Sequence, residues 1–319
     1  MALRSLLALL ILLASCTLAQ AEQEPCLERT IAVSFSRSDE TPVTSVDSLA
    51  LQGAYGGHAV AIRSIKPRER LPRVVLLVDT SKSMEPSQSA AAILAERFVS
   101  GLPSESEIGL AFFASKYTLM APLGKDRGKL TFALEALKNR QYYAEGQTAL
   151  WSAVGEAAKI FGAPTSGDTI YIISDGGDNR SRTLMRGVLE ALTGSGIRLF
   201  AAVFAGPVGI RRRTPEELEA PGMMKEAVHT AGGTLLFDPE SPGGYYSDLD
   251  MVGTNGKPTR FAVDLNRQVS QIVNFYQLEI SFPEPIHKPQ SWRLQIVRDG
   301  QSSNERLQLI YPTLLMPCQ

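Results

Sequence analysis

The run Val74-Val75-Leu76-Leu77-Val78 constrains the fold of this chain more than any other feature. Five apolar residues without alternation call for a strand covered on both faces, as in the interior of a parallel sheet packed between helices. The run ends on Asp79-Thr80-Ser81-Lys82-Ser83, where one carboxylate and two hydroxyls at alternate positions offer hard oxygen ligands on the turn leaving that strand.

The surrounding sequence repeats the theme. Further strand candidates are Ile108 to Ala114, Thr169 to Asp175, Leu199 to Phe204 and Thr234 to Phe237, and Tyr117 to Ala121 reads as an antiparallel hairpin partner of the second strand. Between them lie helical stripes at Ile93, Leu94 and Phe98; Leu130, Leu134 and Leu137; Leu150, Val154 and Phe161; and Leu184, Val188 and Leu192. Strands alternating with amphipathic helices predict an α/β fold with a doubly wound, mostly parallel sheet. In such sheets ligands collect where loops leave the carboxyl ends of neighbouring strands.

Two more segments match the first. Gly146-Gln147-Thr148-Ala149-Leu150 and then Ser174-Asp175-Gly176-Gly177-Asp178-Asn179 follow in order, the latter closing the apolar run Ile170 to Ile173. Together the three segments resemble the von Willebrand factor A (vWA) domain, a Rossmann-like fold whose metal-ion-dependent adhesion site begins Asp-x-Ser-x-Ser. The resemblance implies that Ser81 and Ser83 bind a cation directly, with Thr148 bound directly or through water. Asp79 and Asp175 would hold metal-bound waters or exchange into direct contact. Magnesium, which favours six oxygens at about 2.1 Å and retains water, suits this mixture, and manganese or calcium could replace it. Hydroxyl ligands leave such an ion electrophilic, so the expected partner is a protein presenting an Asp or Glu. Rim candidates are Glu85, Tyr142, Tyr143, Gln147, Asp178 and Asn179. The competing reading of each motif alone is ordinary helix capping by Ser or Asp and a common Asp-Gly turn.

Outside this block the texture changes to short β-like runs: Thr30 to Phe35 and His58 to Ile65 before it, and Gln277 to Phe282, Trp292 to Val297 and Leu307 to Tyr311 after it. A helix carrying Leu265, Val269, Ile272 and Tyr276 precedes the last group. Neither flank is apolar enough to stand alone, so the two are expected to fold together. The expected organisation is residues 1–21 as signal peptide, 22–72 as a β-rich flank, 73–276 as the vWA domain, and 277–319 as strands packing with the first flank. The segment Asp238 to Arg260 lacks periodicity and reads as a long loop. Arg211-Arg212-Arg213, on the loop after the fourth strand, is most simply a solvated cluster.

Arg4 followed by the apolar segment Leu6 to Leu13 has the shape of an export signal, too short to span a bilayer. Ala19-Gln20-Ala21 offers a cleavage site and a periplasmic or secreted product. Leu13-Ala14-Ser15-Cys16 offers instead a lipobox that would anchor the protein at Cys16. Cleavage after Ala21 leaves Cys26 and Cys318, an even pair that an oxidising compartment would favour as a disulfide. The 32 basic and 33 acidic residues nearly cancel, which argues against nucleic acid as partner, and no later segment has the length of a membrane span. The three histidines show no zinc spacing.

These features favour a non-enzymatic, exported binding module. A magnesium-dependent phosphohydrolase is the alternative enzyme, but that chemistry commonly places a second acid two residues after the first, where this chain has Ser81. A third reading is an envelope scaffold with a purely structural metal.

Overall fold

The computed structural model describes residues 27–37, 50–139, 146–204, 215–237, 249–297 and 307–317. The expected signal peptide, Cys16, the Cys26–Cys318 pair, Tyr142, Tyr143, the arginine run at 211–213 and the first part of the long loop lie outside them.

A six-stranded sheet forms the centre. Its strands are β4 (Val74–Asp79), β5 (Ile108–Phe113), β6 (Tyr117–Gly124), β7 (Thr169–Ser174), β8 (Arg198–Val203) and β9 (Leu235–Leu236), in the order β6-β5-β4-β7-β8-β9. Only the β5–β6 pairing is antiparallel, which is the expected hairpin. All six residues of β4 are buried, and successive side chains serve opposite layers. Val74, Leu76 and Val78 pack with α1 (Gln88–Gly101), α2 (Gly128–Lys138) and α6 (Arg260–Val273). Val75 and Leu77 pack with α3 (Leu150–Lys159), α4 (Met185–Gly194) and α5 (Pro215–Thr230). The apolar run is therefore strand-forming and unalternating because helices cover both faces of the sheet. β5 lies on one side of β4 and β7 on the other, so the order reverses at β4, and the crevice outside its carboxyl end is the expected ligand position.

The flanks interleave in a second, wholly antiparallel sheet. Strands β1 (Glu28–Arg37), β2 (Ala50–Tyr55) and β3 (His58–Pro67) combine with β10 (Phe275–Ser281), β11 (Gln290–Val297), β12 (Leu307–Ile310) and β13 (Leu314–Leu315) in the order β12-β1-β10-β3-β2-β11-β13. One face gathers Val33, Tyr55, Leu278, Ile280, Trp292 and Leu294 into its own core. One helix boundary differs from expectation. Tyr276 continues the i+4 spacing of Leu265, Val269 and Ile272, but α6 ends at Val273, Asn274 leaves helical geometry, and Tyr276 belongs to β10. Its spacing matched the helix by coincidence, while its aromatic side chain packs edge-on against Phe35 of β1.

Candidate functional site

Asp79 is the last residue of β4, and Asp175 immediately follows β7, the parallel neighbour in register with it. Both carboxylates thus reach the carboxyl edge at the reversal point. Asp79 is fully buried. Its Oδ1 accepts the backbone N–H of Ser81 at 2.8 Å, and its Oδ2 accepts the Ser174 hydroxyl at 2.6 Å. The Ser174 oxygen in turn accepts the N–H of Gly176 at 2.9 Å, which ties the two loops together. Burial, and after it the negative charge of Asp175, push the Asp79 carboxyl up to about 7 against the opposing hydrogen bonds from Ser174 and Ser81.

The Ser81 and Ser83 hydroxyls share a hydrogen bond, with the two Oγ atoms 3.0 Å apart. Ser81 stands at the start of the 3₁₀ stretch Lys82–Ser87, yet its side chain makes no capping bond. Capping, the ordinary explanation for serine at such a position, does not account for it. Thr148 is buried and held by the β7–α4 connection: its N–H donates to Asn179 Oδ1 at 2.9 Å, and its carbonyl accepts the N–H groups of Asn179 and Arg180. The start of α3 is capped by Asp178, whose Oδ1 accepts the Leu150 N–H at 3.2 Å, so the Thr148 side chain is not the cap.

The structure joins Asp79, Ser81 and Ser83 by direct bonds, couples Asp175 to Asp79 electrostatically, and pins Thr148 to the loop that carries Asp175. Among the rim candidates, Glu85 and Gln147 are exposed, whereas Asp178 and Asn179 use side-chain oxygens to hold backbone within the site. Ser174 was not singled out from the sequence, although it adjoins Asp175 at the strand end where a small hydroxyl can reach across to β4. No cluster of three or more His, Cys, Asp or Glu occurs among the described residues. The donor set is two carboxylates plus hydroxyls, which fits a hard, oxygen-seeking cation rather than zinc or copper.

The central domain is thus a doubly wound α/β sheet with Asp79 and Asp175 at the carboxyl edge where the strand order reverses. Residues 74–177 match the family model of the von Willebrand factor type A domain. Domains of this family are generally protein-interaction modules. Among solved structures, BatB from Bacteroides thetaiotaomicron is 19% identical with a TM-score of 0.45, covering 63% of this chain and 98% of that one. An aerotolerance-related membrane protein from Bacteroides fragilis is 17% identical, with the same score and coverage. A von Willebrand factor type A protein from Catenulispora acidiphila is 13% identical with a TM-score of 0.46, covering 94% of this chain and 74% of that one. No curated protein matches the sequence. No helix among the described residues is long and apolar enough to cross a membrane.

Proposed function

We propose that this chain is an exported binding module that holds magnesium at the carboxyl edge of β4 and β7 and uses it to grip a carboxylate of a protein partner. Ser81, Ser83 and Thr148 would supply hydroxyl oxygens, while Asp79 and Asp175 would orient bound water and balance charge. The observation that carries this reading is the Ser81–Ser83 hydroxyl pair, unspent on capping, beside a buried Asp79 already clamped by Ser81 and Ser174. Bringing Asp79 and Asp175 together costs free energy through like-charge repulsion, and a divalent cation relieves that cost. The bound ion would supply an electrophilic position; this chain's part is to fix the oxygens and keep water otherwise excluded from Asp79.

The reading is tested by titrating magnesium into the parent chain and into Asp79→Ala and Ser81→Ala by calorimetry, with circular dichroism to verify folding. Saturable binding by the parent and its loss in both folded variants are expected. Equal binding by all three removes the proposal. The module is read as a binder rather than a phosphohydrolase because position 81 is serine, with its N–H and hydroxyl engaged as described. In the scaffold reading, partner binding survives EDTA and depends on the antiparallel sheet. That dependence has to be probed with surface substitutions, because removing residues 22–72 would take out β1, β2 and β3, each flanked by two other strands.

A further inference from the structure

Two exposed leucines share the edge of the sheet that carries the candidate metal site. Leu184 immediately precedes α4 and is 81% exposed; Leu218 lies in the first turn of α5 and is 63% exposed. These helices follow the parallel strands β7 and β8, so both begin at the carboxyl edge, and they pack side by side. The loop just after Asp175 lies against the same helix: a Cβ built on Gly176 would stand 3.1 Å from Ala220 Cβ, two residues beyond Leu218. Isolated surface leucines are commonplace. Leu184, however, is four residues ahead of Val188 on the apolar stripe of α4, and its extended backbone turns it out of a core that Val188, Leu189 and Leu192 all enter.

The charges around Leu184 are one-sided. The connection from Asn179 to Arg186 contains Arg180, Arg182 and Arg186 and no acidic residue. Arg180 and Arg182 are exposed, and the exposed Arg186 donates to Glu190 at 2.9 Å. The neighbouring Asp178 is turned inward, accepting the N–H groups of Leu150 and Ser181. On the other side the exposed Glu219 follows Leu218, so among the described residues around the two leucines the arginines stand on the α4 side.

We propose that the partner is an acidic polypeptide segment in which the residue gripped through the metal is accompanied by a large apolar side chain seated on Leu184 and Leu218, with further acidic residues toward Arg180 and Arg182. This inference rests on the metal-binding reading above and adds specificity to it. A single carboxylate–metal bond has little area and does not discriminate among acidic partners, whereas an apolar contact flanked by matched charge does.

The test is selection of random displayed dodecapeptides on the full chain in magnesium, with elution by EDTA. Peptides eluted from the parent should be rich in Asp and Glu and carry a Leu, Ile, Phe or Met within a few positions of an acid. The Leu184→Ser/Leu218→Ser chain should still yield acidic peptides but without the apolar enrichment, and should bind a parent-selected peptide about tenfold more weakly while titrating magnesium normally. The Arg180→Glu/Arg182→Glu chain should lose the surplus of acids. Identical selections from parent and leucine variant overturn the inference and leave the metal reading intact. A parent chain from which EDTA elutes no peptide overturns both.

Discussion

Arg198 donates from Nη2 to the Ser34 hydroxyl at 2.9 Å, joining the first residue of β8 to the middle of β1 in the other sheet. The guanidinium is fully buried, its remaining bonds run to the carbonyls of Gly232 and Gln271, and it lies over the rings of Phe200 and Phe275. Burial pulls its pKa down to about 9. Arg198→Leu leaves the Gly232 carbonyl without this donor and breaks the tie between the sheets. A loss of about 2–4 kcal/mol in urea denaturation is expected.

The same interface makes Gly167 irreplaceable. Its φ is +98°, and a Cβ there would fall 2.2 Å from Phe275 Cζ, at the start of β10. Left-handed strain and overpacking act together, so Gly167→Ala should cost about 3 kcal/mol, read from thermal unfolding. Gly57, which also has positive φ but faces open space, should lose only the backbone part on the same substitution.

Asp168 governs the acid limb of stability. Burial would raise its pKa, but hydrogen bonds from Arg73, Arg70 and the Thr165 N–H outweigh burial and hold it below the usual 3.8. Because the folded value is the lower one, this contribution is present above pH 3.8 and is lost as pH falls through the folded value. Asp168→Asn should flatten that loss and cost about 3–5 kcal/mol at pH 7, since it leaves two arginines without their carboxylate. Denaturant midpoints from pH 2 to 7 measure both.

Asp79 works in the opposite sense. Without divalent cations its folded pKa of about 7 lies above the ordinary 3.8, so the folded chain holds this proton more tightly. Stability in EDTA should therefore decline as pH rises from 3.8 toward 7 and then level off. Asp79→Asn should remove this decline and leave the EDTA-treated chain more stable than the parent at pH 8, while abolishing magnesium binding. A parent with no such decline would contradict the assigned burial of Asp79 beside Asp175.

Under the proposed magnesium binding, removal of the Thr148 hydroxyl should have a graded effect. Thr148→Ser keeps the oxygen and should change magnesium affinity little, whereas Thr148→Val keeps the shape and should weaken it about tenfold or more. Calorimetric titration at pH 7.5 distinguishes the pair, and the backbone bonds of Thr148 to Asn179 should preserve the fold in both.

The central sheet was legible because its signals are local. Val74 to Asp79 is a strand of the expected extent, and the strands through Ile108, Thr169 and Leu199 agree within a residue or so at their ends. The order of these strands brought Asp79 and Asp175 to one edge, as the alternation implied. Strand β2 escaped notice because Ala50–Tyr55 is Ala- and Gly-containing; it is held by its neighbours β3 and β11 rather than by its own propensity. Ser34 and Arg198 stand 164 positions apart, and no periodicity encodes their meeting. Leu184 looked like a core residue because its spacing fits the α4 stripe; only the backbone geometry just ahead of the helix turns it outward.

Strand β4 joins the two halves of the molecule end to end. Its first residue follows the Arg70 and Arg73 anchors on Asp168, beside the antiparallel sheet, and its last is Asp79. Traction between a ligand at Asp79 and an attachment through the flanking strands would run along β4 and load its pairings with β5 and β7 lengthwise. Bonds stressed that way must yield together instead of peeling one after another.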